Sequence, residues 1–109
     1  MNEVKKIYLF CSAGMSTSML AGSMQKSADD HNLPITVKAF PLQQLDEIYE
    51  KEHPDCLLLG PQVKFLFKEM SAKYTALGVP IGVIDSLDYG AMDGEKVLKE
   101  AIKLIKQKV

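Results

Sequence analysis

Two short apolar runs without a polar interruption, Ile7-Tyr8-Leu9-Phe10 and Cys56-Leu57-Leu58-Leu59, stand out against segments in which apolar residues return every three or four positions. An uninterrupted run of this length bounded by turn residues predicts a strand buried on both faces, as at the centre of a parallel sheet. The first run gives a strand over residues 4–10. A helix follows over 16–30, with Leu20, Met24 and Ala28 at four-residue spacing on a buried face. Asn32 and Pro34 close it, the first by taking a left-handed turn and the second by blocking continuation. Residues 35–40 alternate instead, with Ile35, Val37 and Ala39 against Thr36, Lys38 and Phe40, which suits an edge strand.

A second helix over 41–51 opens on Pro41, with Leu45, Ile48 and Tyr49 inward. After the Cys56 strand, Gly60-Pro61 starts a third helix whose stripe is Val63, Phe67, Met70 and Tyr74. Residues 80–84 read as a fourth strand, at an edge because Pro80 and Gly82 are tolerable there. Residues 85–94 read as a polar loop, and 95–108 as a last helix with Leu98, Ala101, Ile102 and Ile105 inward. Alternating strands and helices predict an α/β fold: one four-stranded parallel sheet with helices on both faces. Continuous runs take the centre and the other two strands the edges, which gives the order 2-1-3-4. The topological switch then lies between the first and third strands, and ligands bind beyond the C-terminal strand ends at such a switch.

At 109 residues the chain suits one domain, 1–109. A domain of this size buries roughly two-thirds of its unfolded surface and needs no cross-links. Net charge is −1, which leaves no electrostatic footprint for nucleic acid. No apolar run approaches the roughly 20 residues of a membrane span, and none near the N-terminus makes a signal-peptide core. A cytoplasmic protein that is not itself membrane-spanning is the expectation. Cys11 falls at the end of its strand and Cys56 at the start of another. In parallel strands that separates them by roughly 15 Å, at about 3.3 Å per residue. A disulfide needs Cα atoms within about 7 Å, so two free thiols are expected.

Chemistry concentrates at Cys11. It ends a strand and leads into Ser12, Ala13, Gly14, Met15, Ser16, Thr17 and Ser18, which run into a helix. The helix N-terminus favours a thiolate beside it. Small residues let the backbone curl around an anion, Gly14 tolerates left-handed dihedrals, and the hydroxyls of Ser16, Thr17 and Ser18 can cap the helix or donate to phosphate. Such a loop suits phosphoryl transfer through sulfur. The bland alternative is an inert strand-end cysteine followed by an ordinary capping cluster.

A tyrosine-phosphatase-like loop requires arginine six residues after its cysteine; here that residue is Thr17, which disfavours a low-molecular-weight cysteine phosphatase. A redox pair would need cysteine where Gly14 stands. A flavodoxin-like module, holding a flavin phosphate through residues 12–17, remains open, although Trp is absent and Phe10 is expected inside its strand. Pro61 and Gln62 reach the same sheet end as a rim, Pro61 also being a first-turn helix proline. Asp85 reads as a turn or cap aspartate near Ser86, with the acid loop of cysteine phosphatases as the functional alternative. Tyr89 reads as packing beside the loop. Met15, Met19 and Met24 read as core or rim, and Met15 with Leu20 as an apolar patch for a partner. His31 and His53 lack companion ligands at metal-binding spacing, and no cofactor is expected.

Residues 10–20, Phe-Cys-Ser-Ala-Gly-Met-Ser-Thr-Ser-Met-Leu, together with Leu58-Leu59-Gly60-Pro61-Gln62 and Val83-Ile84-Asp85-Ser86-Leu87-Asp88-Tyr89-Gly90, resemble IIB components of the bacterial sugar phosphotransferase system, in its lactose/cellobiose (chitobiose) branch. The likeness covers nearly the whole chain. It implies a phosphocysteine-forming transferase component. A IIA protein would donate a phosphoryl group from phosphohistidine to Cys11. The group would pass to a sugar, a β-linked disaccharide such as cellobiose, imported by a membrane IIC component. It also implies a four-stranded parallel sheet. A monomer is the simplest carrier.

Overall fold

The computed structural model describes residues 4–12 and 14–107. Its sheet is four-stranded and wholly parallel, in the order 2-1-3-4. The strands are β1 (Lys5–Cys11), β2 (Ile35–Pro41), β3 (Cys56–Leu59) and β4 (Ile81–Val83). The helices are α1 (Gly14–Asp30), α2 (Leu45–Glu52), α3 (Phe67–Ala76), α4 (Ser86–Gly90) and α5 (Gly94–Gln107).

The period-two geometry of β1 explains its unbroken apolar run. Ile7 and Leu9 point to one face, into a core with Leu20, Met24 and Ala28 of α1 and Val97, Leu98 and Ala101 of α5. Tyr8 and Phe10 point to the other, against Leu57 and Leu59 of β3, Leu45 of α2 and Val63 and Tyr74 beside and within α3. Each large apolar side chain among them (Ile, Leu, Val, Met, Phe) contributes about 1.5–3 kcal/mol by leaving water, and β1, buried on both sides, anchors the two layers. Asp55 locks the start of β3 to β1: its carboxylate accepts from Lys6 N–H at 2.8 Å, and its own N–H donates to Lys6 O at 2.8 Å. Asn32 takes the left-handed turn expected of it, with φ 55°.

Several boundaries differ from the sequence reading. The first helix begins at Gly14, two residues before the Ser16 expected, so Gly14 and Met15 belong to helix and not to loop. Pro41 ends β2, and a 3₁₀ turn (Leu42–Gln44) precedes α2; no side chain caps either start, so the chain tightens gradually into the helix. The third helix likewise opens as 3₁₀ (Pro61–Leu66), interrupted at Val63 with φ −117°, and becomes α-helical at Phe67. The segment read as a polar loop over 85–94 contains α4, whose five residues are too few to show a period. No helix among the described residues is long and apolar enough to cross a membrane.

Candidate functional site

The order 2-1-3-4 places the switch between β1 and β3, where neighbouring connections leave the sheet on opposite faces. Cys11 is the last residue of β1, and Gly60 follows β3 directly. Gly60 N–H donates to Phe10 O at 2.9 Å, which ties the two strand ends together. The Cys11 S–H donates to Gln62 Oε1 at 3.0 Å. The sulfur-bearing side chain is 1% exposed, lying beneath an exposed Gln62. The expected meeting of the Cys11 segment with the Pro61-Gln62 turn is thus a direct contact between side chains 51 residues apart.

α1 starts three residues after Cys11 and carries no acidic residue in its first turn. Its first N–H groups have no partners within the helix, and its dipole leaves partial positive charge at this end. Ser12 and Ser18 are exposed, and Ser16 is half-buried. Ala13 lies outside the described residues. Gly14 and Met15 are placed as the first helical residues.

Thr17 departs from the picture of a phosphate-facing hydroxyl. It is 1% exposed, and its Oγ1 lies 2.9 Å from the Tyr89 hydroxyl. It stands three residues before Leu20, on the same buried face as Met24 and Ala28. The site six residues after Cys11, where a phosphatase would present arginine, is therefore core. Asp85 is the cap aspartate the sequence favoured: its carboxylate accepts from Leu87 N–H at 3.1 Å and Asp88 N–H at 3.2 Å, opening α4. Asp88 pairs with Lys96 of α5 at 3.3 Å and pushes that ammonium's pKa up. Capped at its start and paired to α5, α4 holds the largely buried Tyr89 against α1.

Leu20 is fully buried on the face its spacing with Met24 and Ala28 predicts, so it takes no part in the exposed patch expected of it with Met15, whereas Met19, Phe65 and Leu87 are 60%, 76% and 83% exposed. They sit on α1, the 3₁₀ turn and α4, the elements that leave the C-terminal ends of β1, β3 and β4. Phe65 falls off the Val63, Phe67, Met70 and Tyr74 spacing of its segment, which is the sequence signal that marks it, whereas Leu87 lies in a segment too short to carry one. Phe10 is fully buried and stacks on Phe40 with centroids 5.7 Å apart, so it offers no face to a flavin ring. No cluster of three or more His, Cys, Asp or Glu suited to a metal occurs among the described residues.

Both cysteines are free thiols. Cys56 pairs in register with Ile7, four residues before Cys11 on β1. Burial, with a smaller contribution from Asp55, pushes the Cys56 thiol up to about 12. At pH 8 its reactive thiolate would be roughly one part in ten thousand. Iodoacetamide on the native protein is expected to add one group, at Cys11, with a second at Cys56 only after denaturation. Peptide mapping checks this, and early labelling of Cys56 would contradict it.

Residues 6–100 match the family of lactose/cellobiose-specific IIB subunits of the PTS. The chain belongs to that family. It is therefore a IIB component of a sugar phosphotransferase system, a transferase that works in sugar transport. A cellobiose-specific EIIB component of Lactococcus lactis subsp. lactis is 43% identical over 93% of this chain and 96% of its own length. A galactose-specific EIIB component of Lactococcus lactis subsp. cremoris is 42% identical over the same shares. An oligo-beta-mannoside-specific EIIB component of Bacillus subtilis is 34% identical, over 94% of this chain and 97% of its own. The solution structure of a cellobiose-specific IIB component from Borrelia burgdorferi superposes with TM-score 0.77 at 39% identity, covering 95% of this IIB chain and 94% of that one. A lactose-specific IIB domain from Streptococcus pneumoniae shares the fold, with TM-score 0.78 at 18% identity over 93% and 97% of the two chains.

Proposed function

We propose that this IIB protein is a phosphoryl carrier, one domain over residues 1–109, whose acceptor atom is the sulfur of Cys11. The observation that carries the reading is the position of that sulfur: at the switch point of the sheet, at the foot of α1, against the turn after β3.

The donor is the phosphohistidine of a IIA protein. The thiol proton leaves to water, and the sulfur attacks phosphorus in line with the imidazole nitrogen. The S–P bond forms as the N–P bond breaks; the electron pair returns to the ring, which takes up a proton. Backbone N–H groups among residues 12–17, with the α1 dipole, hold the phosphoryl oxygens. Ser12, Ser16 and Ser18 are the hydroxyls available to assist, while Thr17 and Tyr89 brace the helix from behind. In the second transfer a sugar hydroxyl, held in the membrane IIC component, attacks the same phosphorus; the O–P bond forms as the S–P bond breaks, the hydroxyl proton passes to water and the thiolate leaves.

Arginine is not needed by a carrier that must keep its phosphocysteine until the partner arrives, and buried Thr17 takes that place. Two partners must reach one sulfur in turn. Met19, Phe65 and Leu87 supply an apolar rim for both, with contacts of modest area suited to transient docking. The reading is of a cytoplasmic monomer that needs no cofactor and binds no nucleic acid. Cellobiose, a β-linked disaccharide, is the sugar to assay, with galactose beside it, because relatives specific for each are nearly equally similar.

Membranes containing a cognate IIC, supplied with phosphoenolpyruvate, the general phosphotransferase proteins and IIA, are expected to phosphorylate cellobiose when this protein is added. Addition of the Cys11→Ser variant should leave the sugar unmodified. Equal sugar phosphate with both proteins would contradict the role of Cys11.

A further inference from the structure

Gln62 meets the Cys11 sulfur in a place shaped for the contact. A Cβ on Gly60 would stand 2.8 Å from Cys11 Sγ and 2.9 Å from Gln62 Oε1, so glycine leaves the space in which sulfur and amide come together. The Gln62 backbone is fixed at the start of a 3₁₀ turn opened by Pro61, where Val63 N–H donates to Gly60 O at 3.0 Å. Its side chain is exposed, and its amide N–H₂ makes no hydrogen bond among the described residues.

We propose that Gln62 is a positioning residue that serves Cys11 with both ends of its amide, the carbonyl accepting from the resting thiol and the N–H₂ donating once the sulfur is a thiolate or carries phosphate. A sulfur without its proton, like a phosphoryl oxygen, offers only acceptors, which a facing carbonyl repels and an amide N–H₂ satisfies. A half-turn about the terminal torsion exchanges the two ends in the same space, and that torsion is broad and roughly two-fold. Hydrogen bonds to charged groups are stronger than neutral ones, so the exchange favours the reactive and phosphorylated states over the resting thiol by about tenfold or more.

The inference rests on Cys11 being the acceptor. Its test uses the full-length protein as wild type, Gln62→Met and Gln62→Glu. Methionine keeps the length and removes both ends of the amide; the new carboxylate of Gln62→Glu accepts but does not donate. The pH profile of Cys11 alkylation by iodoacetamide is expected to move up by about one pH unit in Gln62→Met and by about two in Gln62→Glu. Phosphoryl uptake from phosphorylated IIA should fall about tenfold and a hundredfold in the same order. Thermal midpoints should stay near wild type, because Gln62 is exposed.

Unmoved profiles, or a Gln62→Glu variant no worse than Gln62→Met, overturn the exchange while wild-type uptake keeps the carrier reading. Profiles that shift as expected, with no uptake by wild type from a charged IIA, support the amide's action on the sulfur and overturn the carrier reading instead.

Discussion

Gly60→Ala is expected to lower phosphoryl uptake about 100-fold in a protein that still folds. The backbone at Gly60, with φ −63° and ψ 154°, is open to any residue, so the effect is steric. The added methyl would lie 2.8 Å from Cys11 Sγ, 2.9 Å from Gln62 Oε1 and 3.2 Å from Cys11 Cβ. Gln62 can swing away into solvent. Cys11 cannot, because its side chain is short and its strand is paired on both sides. The sulfur must shift and the Cys11–Gln62 hydrogen bond must break. A misplacement of about 1 Å at a reacting atom costs on the order of a hundredfold. Overpacking costs about 1–3 kcal/mol of stability, which a typical domain with 5–15 kcal/mol survives. Uptake kinetics beside a thermal melt separate the two effects, and wild-type uptake in the variant would contradict the placement of the sulfur.

The largest loss of stability is expected at Gly94→Ala. Gly94 opens α5, where alanine would ordinarily be the better helix former by about 1 kcal/mol. Here the sign reverses. A Cβ would stand 2.5 Å from the Ser23 carbonyl carbon and 2.6 Å from Met24 N, and also strike Ser23 Oγ. Backbone of α1 cannot step aside, so α1 and α5 must separate and loosen the core they share. A destabilisation of about 3 kcal/mol follows, a fall of roughly 12–24 °C in Tm for a domain of this size. Gly22→Ala is the control: on the exposed side of α1, with nothing within 4 Å of its Cβ, it should gain up to about 1 kcal/mol. Parallel melts of the two variants check the pair, and shifts of the same sign would contradict the close approach of α1 and α5.

What the sequence makes legible follows what is encoded locally. Strand order could be read because β1 and β3 are unbroken apolar runs while β2 alternates and β4 carries Gly82. The place of Cys11 followed from that order. Asp85 could be read as a cap because a capping carboxylate acts on N–H groups two and three residues ahead. The start of α1 was hidden because Gly14-Met15 carries no helix-opening signal, and the serines after it mimic one.

Thr17 stands three residues before Leu20 on the buried face of α1, so its hydroxyl turns inward. Its partner Tyr89 lies 72 residues away, a contact that exists only after α4 has docked. Leu20 could be read as core from its four-residue spacing with Met24 and Ala28, and Met19, one position off it, is exposed at the rim. The 3₁₀ opening of the Pro61 segment escaped as well, although that turn is what sets Gln62 over the sulfur.

The most direct measurement is the intact mass of wild type and Cys11→Ser after incubation with phosphoenolpyruvate, the general phosphotransferase proteins and a cognate IIA. One phosphoryl group is expected on wild type and none on the variant. Uptake retained by Cys11→Ser, or none on wild type from a IIA shown to be phosphorylated, would contradict Cys11 as the acceptor.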